Sequence, residues 1–147
     1  MIEVPQMNDV VVTSQFNLQN VVTFGDGQTI TTDEPGSLGG DGAGADPYSL
    51  LLAALGSCVS MTVTLYARRK QWGLKRVTVR LRQRRVHARD CEECATETDT
   101  FVHRIQRQVV VEGDLTDEQR ARLQEIAHRC PVHKTLTSEI VIADWKD

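Results

Sequence analysis

Three kinds of hydrophobic pattern follow one another along the chain. Residues 9–33 hold short runs of β-branched and aromatic residues: Val10-Val11-Val12, then Phe16 to Phe24, then Gln28 to Asp33. The last two runs are separated by Gly25-Asp26-Gly27, and this arrangement predicts strands joined by tight turns. Residues 34–46, EPGSLGGDGAGAD, are rich in glycine and predict a loop long enough to serve as a lid or an interface. From Pro47 to Arg68 the pattern changes, with apolar residues on every side of a predicted helix. Asp46 suits the N-cap and Pro47 the first helical position. Such a helix is expected to be buried all round.

Positions 47–67 carry no charge and are long enough to span a bilayer. Ser49, Ser57, Ser60, Thr62 and Thr64 dilute the stretch, however, and its flanks read as elements of one soluble domain. The expectation is therefore a core helix with no membrane association. One small chain does not easily cover so apolar a helix, which predicts a homodimer.

Strict alternation begins after Gly73. Val77, Val79 and Leu81 point one way, and Arg76, Thr78, Arg80 and Arg82 the other. The parity breaks near Gln83–Val86, which predicts a bulge there. A loop around residues 90–100 leads to a second strand over 101–111, with Ile105, Val109 and Val111 on one face, so the two strands form a long hairpin. Thr116 and Gln119 make a capping box at the start of a second helix, whose Leu123, Ile126, Ala127 and Cys130 share a face. Pro131 ends that run, and residues 138–143, SEIVIA, predict a final strand. The class is α+β, in a single domain over residues 1–147.

Composition changes this picture little. The 147 residues are 40% hydrophobic and 25% charged, enough for one well-filled core. Charge is divided unevenly. The seven acids before Arg68 stand alone and give −7; the 17 basic and 13 acidic residues from there on give +4. Packing of acidic strands against a basic strand, in the same chain or a partner, accounts for this. The arginines from Arg76 to Arg89, with Arg104 and Arg107, invite a nucleic-acid reading. Arg76–Arg89 has no interleaved aromatics, and strand alternation already explains a solvated face, so no nucleic-acid partner is expected. The start MIEVPQMNDVVV has neither a basic region nor a long apolar one, so a cytoplasmic location is expected. In that compartment four cysteines point to catalysis, redox sensing or metal binding rather than structural disulfides.

Cys58 lies about three turns into the apolar helix, beside the small Gly56 and Ser57. A helical cysteine among Ala, Leu and Val is commonly a packing residue, and its context has to argue otherwise. That context is PYSLLLAALGSCVSMTVTLYARRKQWGL, followed by IAHRCPVHKTL. The two stretches resemble, in order, the two cysteine motifs of the OsmC and organic hydroperoxide resistance family, and the resemblance covers nearly the whole chain. It implies the OsmC-like fold: N-terminal strands, a long buried central helix, a β-hairpin, a second helix and a final strand, in an intertwined homodimer. It also implies a cytoplasmic, thiol-dependent peroxidase of the oxidative stress response. Such an enzyme takes organic hydroperoxides as substrates and an external dithiol as reductant, and requires no cofactor. By motif, Cys58 would be the attacking thiol and Cys130 the resolving one.

Elementary chemistry is compatible with those roles. Cys130 falls at the C-terminal end of its predicted helix, where the dipole disfavours a thiolate, and this suits a resolving thiol. An apolar setting for Cys58 suits an alkyl peroxide, but low dielectric disfavours its anion, so a reactive thiol there needs a nearby cation. The best-known peroxidases of the family use an arginine from the N-terminal strands and a glutamate about ten residues before the cysteine. This chain has no Arg or Lys before Arg68, and Tyr48 and Ser49 occupy the corresponding positions. Arg68, Arg129 and His133 are candidate substitutes, and spacing selects none of them. Tyr48 could donate to a peroxide oxygen or could simply pack. These departures support an alternative: a non-peroxidase OsmC-like protein that binds a small apolar or thiol-reactive ligand at the dimer interface.

A second constellation, His87, Cys91 and Cys94, reads H-x3-C-x2-C at the hairpin tip. His103 falls opposite His87 if the hairpin is symmetric about residue 95. Four such ligands could hold a structural zinc; the CxxC could instead be a second redox pair, or two unrelated thiols.

Overall fold

The computed structural model describes residues 9–92, 94 and 100–145. Most of the hairpin tip expected over 90–100, and the first eight residues, lie outside them. The chain forms two compact units, Met1–Leu51 and Leu52–Asp147.

In the first unit, β1 (Val11–Ser14), β2 (Asn20–Thr23) and β3 (Thr29–Thr32) form an antiparallel sheet in the order β1-β2-β3. The β2–β3 turn closes through Gly27, whose φ of 89° suits glycine and whose N–H donates to the Phe24 carbonyl at 2.8 Å. The glycine-rich loop that follows is folded around one side chain. Asp33, only 2% exposed, accepts from the backbone N–H groups of Glu34, Asp41 and Ala43 at 2.8, 3.1 and 3.0 Å. The Ala43 N–H, then desolvation acting the other way, then the Glu34 and Asp41 N–H groups leave its carboxyl below the ordinary carboxylate range. Gly40 is required here, because a Cβ would sit 1.9 Å from the Glu34 carbonyl oxygen. A short 3-10 turn, Gly36–Leu38, fills the middle of the loop.

α1 (Pro47–Arg69) begins as the sequence predicts, with the Asp46 carboxylate capping the Ser49 N–H at 3.0 Å and also accepting from the Ser49 hydroxyl. It is not buried all round. Leu55, Gly56, Val59, Val63 and Ala67 are buried on one side, while Met61 and Leu65 are 63% and 52% exposed. Among the described residues it is the one helix long and apolar enough to cross a membrane by length and composition.

In the second unit the buried stripe of α1 packs on a two-stranded hairpin, β4 (Gly73–His87) and β5 (Phe101–Asp114). Gly56 permits close approach: a Cβ there would lie 2.7 Å from Leu81 Cδ1. The expected bulge at Gln83–Val86 is absent; those residues pair in unbroken register with Ile105 to Val102. The inner face turns polar instead, with Gln83 Nε2 and His103 Nδ1 3.1 Å apart. The register shift falls between Leu74 and Arg76, where Gly113, at φ 146°, accommodates it; a Cβ on Gly113 would meet the Gly73 carbonyl oxygen at 2.1 Å.

α2 (Asp117–Ala127) carries the full Thr116–Gln119 capping box. Arg120 donates to the Val111 and Gly113 carbonyls at 2.7 and 3.0 Å, and Gln124 to that of Val109 at 2.9 Å, which fixes the helix on β5. Leu123, Ile126, Ala127 and Cys130 are all buried, as their spacing predicts. A third helix not anticipated, α3 (Pro131–Leu136), follows directly. The strand expected over 138–143 does not form: these residues pair with nothing among the described residues, and Ile140, Val141 and Ile142 are exposed.

Candidate active site

Cys58 and Cys130 are the two free thiols of the chain. α1 carries Cys58 one helical step beyond the buried stripe, so it is half-buried while packing on the core that contains Cys130. Cys130 is completely buried. It does not end α2, which stops at Ala127; it is the N-cap of α3, with Pro131 at the first position. The dipole expectation is therefore reversed: the His133 N–H donates to Cys130 Sγ at 3.2 Å, a contact that favours a thiolate. Burial nevertheless wins and pushes the Cys130 thiol up. The His133 N–H opposes it, a side-chain hydrogen bond with Cys58 adds to the rise, and the positive charge of Arg107 lowers it. The two thiols thus sit against one core with unequal access to solvent.

Arg107 is the residue that sequence reasoning misplaced, by grouping it with the solvated arginines. On β5 it shares parity with Ile105, Val109 and Val111, and that parity was the available signal. It points to the packed face, opposite Leu81, and Nη1 lies 3.3 Å from His133 Nδ1. A guanidinium only donates, so Nδ1 accepts and the neutral ring carries its proton on Nε2. Desolvation, then the charges of Arg107 and His128, hold His133 below its ordinary pKa, so it stays neutral and does not act as the cation. Arg68 and Arg129 are exposed. Of the basic groups, Arg107 is the one whose charge reaches Cys130.

A cavity of ≈ 230 Å³ lies beside this pair, lined by Leu55, Ile105, Leu136, Arg107, His133, His103 and Thr137. Tyr48 and Ser49 lie in the first unit, on the opening turn of α1; Tyr48 is 58% exposed and Ser49 is engaged by Asp46.

The four residues considered for zinc do not gather. Cys91 and Cys94 are joined in a disulfide with a Cα–Cα distance of 5.4 Å, so neither offers a thiolate. The register sets Phe101 opposite His87 and Arg85 opposite His103, because the hairpin is centred one residue earlier than the symmetry about 95 assumed. His87 Nδ1 accepts from the Arg89 N–H at 3.3 Å and its ring packs edge-on against Phe101. Among the described residues no group of three or more His, Cys, Asp or Glu side chains could hold a metal ion. The residues present do not fit a structural zinc.

A long helix laid on a hairpin, with two adjacent thiols on the inner side of one unit, defines an α+β dithiol protein. The chain belongs to the OsmC-like protein family, whose sequence profile matches residues 39–143. None of the curated proteins matches its sequence. Solved structures share its fold. The organic hydroperoxide resistance protein OsmC from Legionella pneumophila is 19% identical, with a TM-score of 0.61, over 88% of this chain and 89% of that one. An OsmC-like protein from Mycoplasma pneumoniae is 18% identical, with a TM-score of 0.68, over 90% and 88%. An organic hydroperoxide resistance protein from Elizabethkingia anophelis, with thiocyanate bound, is 19% identical, with a TM-score of 0.66, over 93% and 91%.

Proposed function

We propose that this protein is a thiol-dependent peroxidase that reduces organic hydroperoxides. The observation that carries the reading is that a half-buried Cys58 packs against the core that holds the fully buried Cys130, near enough to raise the Cys130 pKa. The Cys58 thiolate attacks the terminal peroxide oxygen; the O–O bond breaks, the alcohol leaves after taking a proton, and Cys58 becomes a sulfenic acid. Cys130 sulfur then attacks Cys58 sulfur, the S–O bond breaks, water leaves, and a disulfide forms. An external dithiol supplies two electrons and two protons to restore both thiols. The positive charge of Arg107 favours the sulfur anion that the second step needs at Cys130. Names of the Legionella and Elizabethkingia proteins support the reading at the level of the family.

In this reading the protein works without a cofactor, in a reducing compartment such as the cytoplasm. It acts as a homodimer in which a second copy covers the exposed face of α1. The rival reading, a non-peroxidase ligand-binding protein of the same fold, draws on the absence of any Arg or Lys before Arg68. The two separate in one assay. Reduced protein supplied with an alkyl hydroperoxide and a dithiol should consume peroxide far faster than free thiol, and Cys58→Ser should fall to background. A Cys58→Ser variant as fast as its parent would overturn the proposal.

A further inference from the structure

The Cys91–Cys94 disulfide has no part in the proposed reaction, and its position gives it little to do for the fold. β4 has ended at His87, Ala88–Asp90 make a 3-10 turn, and Cys91 caps that turn. Backbone hydrogen bonds already hold the connection. The Ala88 N–H donates to the Thr100 carbonyl at 2.8 Å, the Cys91 N–H to that of Ala88 at 3.3 Å, and the Cys94 N–H to that of Cys91 at 3.3 Å. The β4–β5 ladder runs in register from Arg76 opposite Glu112 to His87 opposite Phe101. A link between residues three apart on one connection ties neither strand to the other. It also closes a loop too short to restrict the unfolded chain much. Nor does it serve the other pair of cysteines. Phe101 and Arg107, whose charge reaches Cys130, are six residues apart on β5. That is about 20 Å of extended strand, too far for exchange between the two pairs within one chain. Within the link the two sulfurs differ in access, because Cys91 is buried at 7% exposed and Cys94 is half-buried.

We propose that Cys91 and Cys94 form a second redox centre, a thiol–disulfide exchange site for external thiols, with Cys94 as the sulfur attacked. An external thiolate attacks Cys94 Sγ; the bond to Cys91 breaks, and Cys91 leaves as a thiolate that takes up the proton the external thiol gave up. A second external thiolate then attacks the outer sulfur of the mixed disulfide, and Cys94 leaves and is protonated in the same way. Two thiols have become one disulfide, and their two electrons and two protons reside on the cysteine pair. Run backwards, the site reduces an external disulfide. The short connection keeps the reduced thiols adjacent, so the link re-forms readily. The inference does not rest on the peroxidase reading.

Trypsin frees residues 90–104 as one peptide that contains Cys91 and Cys94 and neither of the other cysteines. The protein is equilibrated over graded ratios of reduced to oxidised glutathione, quenched with iodoacetamide, digested and analysed by mass spectrometry. This peptide should pass reversibly from linked to doubly alkylated across the series. A link that survives the most reducing buffer would overturn the proposal, since structural disulfides resist the glutathione pool. Thiols that stay unlinked in the most oxidising buffer would overturn it equally. Reduction should leave the far-UV circular dichroism unchanged, and a loss of strand signal would make the link a structural clamp instead. Of the single-thiol variants, Cys91→Ser should form a mixed disulfide with oxidised glutathione several-fold faster than Cys94→Ser. Equal or reversed rates would overturn the assignment of Cys94. The peptide reports on this pair alone, so the result stands whatever the peroxidase assay gives.

Discussion

Cys130 takes its character from the residue that follows it. Proline cannot continue α2, so the chain restarts at Pro131 and makes Cys130 an N-cap rather than a C-terminal residue. The Cys-Pro sequence is both a stop for α2 and a start for α3. That one turn carries His133 back over the sulfur and against Arg107. His133 then makes a pH-dependent contribution to stability. Its folded pKa lies below the ordinary 6.5, because burial and the Arg107 and His128 charges resist protonation. The stability it contributes is present above pH 6.5 and is lost as pH falls through the lowered folded value. Urea midpoints of His133→Asn should therefore decline less than those of the parent as pH is lowered below 6.5. Parallel declines would show that His133 is not the titrating group.

At the scale of elements, α1 and the hairpin show where periodicity informs and where it misleads. The 3.6-residue stripe Leu55, Val59, Val63 and Ala67 and the alternation of Val77, Val79 and Leu81 meet as their spacing predicts. What periodicity could not show was which apolar positions this chain covers by itself. Met61 and Leu65 are as apolar as their buried neighbours, yet stand in solvent. The same holds for Ile140, Val141 and Ile142, whose strand-like pattern pairs with no strand among the described residues. We expect a second copy on the outer face of α1. Leu65→Glu should shift the protein from dimer to monomer in sedimentation, since a charge in a desolvated apolar contact costs several kcal/mol, ~3 or more. An unchanged sedimentation coefficient would place the dimer contact elsewhere, and a monomeric parent would remove it. Parity in β5 carried more than was taken from it: Arg107, in line with Ile105 and Val109, was legible as an inward-facing charge.

For the whole molecule, the α+β class and the order of N-terminal strands, long helix, hairpin and capped second helix were legible, because capping residues, turn glycines and hydrophobic periods are local signals. The bulge at Gly113 and the separation of His103 from His87 were not, because both depend on strand register, which no local pattern fixes over a hairpin this long. The proposed zinc set failed for that reason, and because Cys91 and Cys94 pair with each other. The central claim concerns the other two cysteines. Reduced protein treated with one equivalent of an alkyl hydroperoxide, quenched with an alkylating agent and digested, should yield a Cys58–Cys130 disulfide peptide by mass spectrometry. Alkylated Cys58 and Cys130 with the peroxide still present would contradict the account.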